Sequence, residues 1–145
     1  MIENTKPIIA DNVICCHIWN LMFRMSGTHQ RPTVVIDIEK GFFELSGSSI
    51  PENPMEVFSP IFDHLNRYLD EPQTLTELNF RLDYFNTSTS KLMLDMIHKM
   101  ETLKEKEGHD VTIRWYYREN DDDMMEIGED FANLCRLPIE IIPYS

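Results

Sequence analysis

The chain has 145 residues, 42% of them hydrophobic and 10% aromatic, enough for one domain with a packed interior and too much for global disorder. Its formal net charge of −12 repels phosphate backbones and anionic membrane surfaces alike, so nucleic acid and membrane are excluded as expected partners. A protein with basic patches suits such a chain better.

Residues 1–26 carry no clear period of two or 3.6 and no strong caps. They read equally as an added strand, a short helix over an apolar patch, a tail, or a translated upstream segment. Met25 makes a sensible start for the domain, and residues 27–145 are assigned to one unit. The most apolar run, VICCHIWNLMF (13–23), is broken by His17 and Asn20 and falls short of the roughly 18 residues that span a bilayer. It also lacks the basic flank and small-residue cleavage pattern of a secretory signal. Cys15, Cys16 and Cys135 are too few and too badly spaced for a disulfide framework, which fits a reduced, cytoplasmic protein. The Cys15-Cys16-His17 trio has no nearby ligands to complete a zinc site, and neither metal nor cofactor is expected.

From residue 32 the pattern sharpens. Val34–Ile38 and Phe42–Ser46 are extended runs joined by Glu39-Lys40-Gly41, the signature of a hairpin with glycine at positive φ. Pro51-Glu52-Asn53-Pro54 is a rigid turn into a helix, with Asn53 at the N-cap and Pro54 in the first helical position. Met55, Phe58, Phe62, Leu65 and Leu69 then recur at steps of three and four, one apolar stripe of an amphipathic helix that stops near Pro72. Leu75–Phe85 alternates, with Leu78, Phe80, Leu82 and Tyr84 on one face. A second helix over 87–107 turns Leu92, Met93, Met96, Met100 and Leu103 inward and ends at Gly108, the expected left-handed C-cap. Val111, Ile113, Trp115 and Tyr117 alternate as a further strand. A third helix spans 122–135, and its early aspartates complement the positive end of its dipole. Ile139–Ile142 form the last strand. The order ββαβαβαβ defines an α/β fold: a single mixed sheet, parallel after an opening hairpin, with helices packed on it.

Enzyme signatures are missing. There is no G-x-S-x-G elbow, no phosphate-cradling glycine loop and no H-E-x-x-H. The acidic run ENDDDMMEIGED (119–130) lacks the spacing of a calcium loop and reads as a solvated, dipole-matched helix start. At LDYFNTSTSK (82–91) four hydroxyls, Thr87, Ser88, Thr89 and Ser90, sit at the joint of a strand and a helix. In an α/β layout such a joint lies at the carboxyl edge of the sheet, where ligands bind. The first-turn amides there point outward with partial positive charge, so a covalent phosphate on a hydroxyl is stabilised. The same residues also read as a cap, Asn86 or a hydroxyl, followed by helix-start filler. Trp115 and Tyr117 share one face of their strand and read equally as core or as an interface, since aromatics lead at binding hot spots.

Three blocks carry a resemblance: GFFELSGSSIPENP, LDYFNTSTSKLMLDMI and IRWYYRENDDDMMEIGEDFA. Together they resemble the SiaC family of bacterial regulatory phosphoproteins, over roughly residue 27 to the C-terminus. Ile50 departs from the pattern, standing where a tyrosine commonly precedes Pro-Glu-Asn. The resemblance implies a STAS-like fold, like that of anti-sigma-factor antagonists, and a non-enzymatic role in partner switching. It implies a dedicated serine/threonine kinase and a metal-dependent serine/threonine phosphatase. It further implies that the unphosphorylated form binds and activates a diguanylate cyclase, raising cyclic di-GMP and promoting biofilm growth. The family's accepting threonine lies in an asparagine-threonine-serine step, matched here by Asn86-Thr87-Ser88, which points to Thr87. Tyr84, Asn86, Ser88 and Thr89 then surround the phosphosite. Pro51, Glu52, Asn53, Lys91, Trp115 and Tyr117 form the candidate partner surface. The alternative is a small hydrolase or phosphotransferase using the hydroxyl cluster as nucleophile, which needs a base within hydrogen-bond reach.

Overall fold

The computed structural model describes residues 22–145. Nine elements follow one another: β1 (Met22–Met25), β2 (Thr33–Asp37), β3 (Phe42–Ser49), α1 (Pro54–Asp70), β4 (Leu75–Phe85), α2 (Thr87–Lys104), β5 (Asp110–Arg118), α3 (Asp122–Leu134) and β6 (Ile139–Tyr144). The strands form one six-stranded sheet in sequence order, β1 to β6. β2 pairs antiparallel with both β1 and β3, and β3 through β6 are parallel. The expected mixed sheet is therefore present, with one more strand before the first helix than the alternation showed. Met22–Met25 is that strand, so of the readings open for residues 1–26 an added strand holds for these four. The Cys15-Cys16-His17 trio and most of the 13–23 run lie outside the described residues.

The hairpin between β2 and β3 turns on Gly41, whose φ of 68° lies in the left-handed region. A side chain there would also collide with the Tyr68 hydroxyl and the Leu75 carbonyl. After the hairpin, each parallel strand is reached through one helix. Right-handed crossovers between strands taken in sequence order put all three helices on the same face. Val34, Ile36, Phe43, Leu45, Leu78, Phe80, Leu82, Ile113 and Trp115 line that face and join the buried helix residues in a single core.

α1 buries Val57, Phe58, Ile61, Leu65 and Tyr68. This corrects the expected stripe: Phe58 and Leu65 are inward, but Met55 is 53% exposed and Phe62 and Leu69 are only half-buried. Tyr84 is also misplaced by simple alternation. The register against β3 jumps from Leu82 to Tyr84, so the extra residue Asp83 flips the alternation: Phe85 packs against the core and Tyr84 is 60% exposed.

Among the described residues Trp115 is the largest fully buried side chain. Its ring lies 5.0 Å from Phe131, 5.8 Å from Phe80 and 5.9 Å from Phe85, centre to centre. Its indole N–H donates to the Met124 carbonyl at 3.0 Å, so its one polar atom is satisfied. α3 comes close enough only because residue 128 is glycine; a methyl there would sit 2.5 Å from Trp115 Cδ1. Trp115 is thus removed from the candidate partner surface: its face of β5 is the core face.

The other face of the sheet is polar. Arg114 bridges Glu77 at 2.7 Å and Glu140 at 3.2 Å, and Arg118 pairs with Asp83 at 2.8 Å. Arg81 stacks on Tyr116, 4.0 Å from the ring centre. These pairs are half-exposed or exposed, and they decorate the sheet more than they hold it.

Candidate functional site

The site begins with strand direction. β3 and β4 run parallel, so their carboxyl ends reach the same edge, where Ser48 pairs with Tyr84 and Ser49 with Phe85. The register slips between Gly47 and Ser48. Gly47 takes φ of 87° with open space around its Cα, so backbone conformation and not crowding requires glycine there. The bulge delivers Ser49 beneath the start of α2.

Asn86 follows β4 and caps α2. Its backbone is extended (φ −96°, ψ 177°), and its side-chain oxygen accepts from the Thr89 N–H at 3.0 Å. Its own N–H donates to the Ser49 carbonyl at 3.1 Å, and its carbonyl accepts the first intrahelical bond, from Ser90 N–H, at 3.0 Å. Replacing Asn86 by alanine removes the cap, and we expect a loss of about 0.5–2 kcal/mol in urea denaturation. An unchanged midpoint would deny the cap its stabilising role.

The four hydroxyls divide into distinct roles. Thr89 is fully buried. Its hydroxyl donates to the Ser49 carbonyl at 3.0 Å and lies 2.9 Å from the Ser49 hydroxyl, which is also fully buried. Ser90 is half-buried. Thr87 and Ser88 are exposed, and among the described residues neither hydroxyl has a hydrogen-bond partner. One hydroxyl therefore anchors the turn from inside, and two are offered to solvent.

The electrostatics of this turn differ from those at the starts of α1 and α3. α1 has Glu56 in its first turn and α3 has Asp122 and Asp123, whereas α2 has no acidic residue there. The partial positive charge of its first amides is left for an external anion. In α3 the acidic run is used up structurally: Asp121 caps the helix by accepting from Met124 N–H at 3.0 Å. Among the described residues no cluster of His, Cys, Asp or Glu could hold a metal ion.

A nucleophile at this joint would need a base. Asp83 is the nearest carboxylate in sequence, but it is held at 2.8 Å by Arg118 and also receives the Tyr144 hydroxyl. His64 bonds the Pro60 carbonyl and His109 the Gln73 carbonyl, both away from the joint. None of these three groups bonds a hydroxyl of the joint.

The remaining candidates fall in three places. Glu52 and Asn53 are exposed in the β3–α1 turn, while Pro51 is buried and leaves the contact surface. Asn53 occupies the N-cap position of α1, but its side chain makes no capping bond. Glu52, Asn53, Thr28 and Arg31 line a shallow cleft of about 400 Å³. Lys91 is exposed on α2, four residues past Thr87 and hence on the same helix face. Tyr117 is half-buried against the core. One surface was missed by sequence reasoning: Met55, Phe62 and Leu92, with Asn66, Asp95 and Lys99, line a groove of about 530 Å³ between α1 and α2. Its signal was present in α1, which has apolar residues on two neighbouring stripes and can bury only one.

The fold and the joint define a class: a small α/β domain with a mixed sheet that presents, among the described residues, an exposed and unpartnered hydroxyl at a helix start. The chain belongs to the SiaC family of regulatory phosphoproteins, whose family model matches residues 25–144. It is 34% identical over 115 residues to an uncharacterised protein of Pseudomonas aeruginosa, covering 79% of this chain and 90% of that one. It is also similar to a chain in the crystal structure of the diguanylate cyclase SiaD in complex with its activator SiaC from Pseudomonas aeruginosa. There the TM-score is 0.78 at 31% identity, covering 84% of this chain and 99% of the other. The crystal structure of apo-SiaC from the same organism matches with a TM-score of 0.76 at 31% identity, over 83% of this chain and 98% of that one.

Proposed function

We propose that this chain is a non-enzymatic partner switch controlled by reversible phosphorylation of Thr87. In its unphosphorylated form it binds and activates a diguanylate cyclase, the role that SiaC has toward SiaD in the similar complex. A serine/threonine kinase adds the phosphate and a metal-dependent serine/threonine phosphatase removes it, all in the cytoplasm. No helix among the described residues is long and apolar enough to cross a membrane.

The observation that carries this reading is the state of the Thr87 hydroxyl: exposed and, among the described residues, without a partner, at a helix start free of acidic side chains. A phosphate there adds about −1.5 to −2 charges. The helix amides hold it in place, and Lys91 on the same face offers a cation. The added charge falls on a chain already at −12, so an acidic or apolar contact patch is repelled.

Phosphopeptide mass spectrometry of the protein isolated from its native cells tests the site. Phosphate at Thr87 is the expected result. Phosphate found only at other residues would move the switch elsewhere, and turnover of phosphate or ester substrates by pure protein, lost in Thr87→Ala, would favour a small hydrolase or phosphotransferase instead.

A further inference from the structure

The joint contains more machinery than display of one hydroxyl requires. Ser49 and Thr89 are 40 residues apart, and both are fully buried. The Ser49 carbonyl accepts two bonds, from Asn86 N–H at 3.1 Å and from the Thr89 hydroxyl at 3.0 Å. With its proton so committed, the Thr89 oxygen accepts from the Ser49 hydroxyl at 2.9 Å. Both hydroxyl protons of the pair are thereby matched without water. A buried aliphatic pair would fill such a space without needing partners, so the hydroxyls hold direction as well as volume.

That direction bears on the switch. Thr89 is the third residue of α2, and its side chain ties the first helical turn to the end of β3. The backbone of Asn86 is tied to the same carbonyl. Residues 87 and 88 lie between these two fixed points. Loss of the inner tie leaves the turn held only at Asn86, by its cap and its backbone bonds, and a frayed turn presents residues 87, 88 and 90 in many orientations.

Resting on the reading of Thr87 as phosphoacceptor, we propose that the Ser49–Thr89 hydroxyl pair is the positioning device that selects Thr87 over its neighbouring hydroxyls. In the reaction a kinase transfers the terminal phosphoryl group of ATP to Thr87 Oγ1. The phosphorus–oxygen bond to ADP breaks, and the hydroxyl proton passes to a base of the kinase. Neither Ser49 nor Thr89 takes part in bond making. They hold the acceptor where the kinase meets it, and Thr89, with its proton already donated inward, is removed from competition.

The test compares wild type, Thr89→Ser, Thr89→Val and Ser49→Ala in native-cell extract supplied with ATP. It reads the initial rate of labelling and the ratio of phosphate on Thr87 to phosphate on Ser88 and Ser90. Thr89→Val, which keeps the shape and loses the hydroxyl, is expected to lower that ratio about tenfold, the scale of losing one buried hydrogen bond. Thr89→Ser is expected to restore it. Should the valine variant fail to fold by circular dichroism, Ser49→Ala decides, because it removes one bond and leaves the carbonyl acceptor in place. A folded Thr89→Val, or in its absence a folded Ser49→Ala, with the wild-type ratio and rate would overturn the proposal. A wild-type protein that takes no phosphate on Thr87 would overturn the underlying switch as well, so the two failures are distinguishable.

Discussion

Trp115→Ala is expected to destabilise the fold by about 3–5 kcal/mol, as large-to-small changes at buried aromatic positions do. That is a large part of the roughly 5–15 kcal/mol that holds a domain of this size together. Trp115 is 1% exposed, packs on Phe80, Phe85 and Phe131, and spends its indole N–H on the Met124 carbonyl. Alanine would leave a cavity between β5 and α3 and remove that carbonyl's indole partner. The indole is what α3 rests on at Gly128, so its loss opens the void directly beneath that helix. Urea denaturation followed by circular dichroism reads the loss as a lower midpoint with unchanged slope. Trp115→Phe, which keeps most of the volume, should cost less and leave partner affinity unchanged. A folded Trp115→Phe with weakened partner binding would return this residue to the contact surface.

Thr87→Asp is expected to weaken binding to the output cyclase by about tenfold, and full phosphorylation to weaken it further. Aspartate carries one charge and two acceptor oxygens, fewer than phosphate, so it mimics only part of the effect. Thr87→Ala should keep the fold, because the Thr87 side chain is exposed and anchors nothing among the described residues. It should also keep partner affinity and lose kinase-dependent labelling. The three proteins, compared by calorimetric titration against the cyclase, separate charge from shape. Equal affinity of the alanine and aspartate forms would mean that charge at residue 87 does not govern docking.

Those two residues mark the boundary between what was legible in the sequence and what was not. The strands and helices from β2 to β6 were readable because their periods are clean and their ends are punctuated. Gly41 takes positive φ where the hairpin turn was expected, whereas Gly108, also at positive φ, is not the C-cap: α2 ends at Lys104 with Glu105 at its C-cap, and Gly108 belongs to the turn that follows. The Asn86 cap and the exposed hydroxyl beside it were readable because capping is local chemistry. Side-chain facing was harder. The irregularity at Asp83 breaks the alternation of β4 and turns Tyr84 outward and Phe85 inward, and the twin stripes of α1 concealed which would face inward. Trp115 fits a hot spot and a core equally well in isolation, and only the glycine at 128, some way along the chain in α3, shows why that helix can cover it. The Ser49–Thr89 pair left no local signal. It depends on parallel pairing of β3 with β4 and on a bulge at Gly47, both of which are long-range consequences of the fold. β1 escaped notice because four residues on a sheet edge bury little and carry no distinctive period.

The most direct measurement is cyclic di-GMP synthesis by the native diguanylate cyclase, assayed with this protein before and after stoichiometric phosphorylation of Thr87. The unmodified protein should stimulate synthesis, the phosphorylated protein should not, and phosphatase treatment should restore the effect. Equal stimulation by both forms, or none by either, would contradict a phosphate-controlled switch at Thr87.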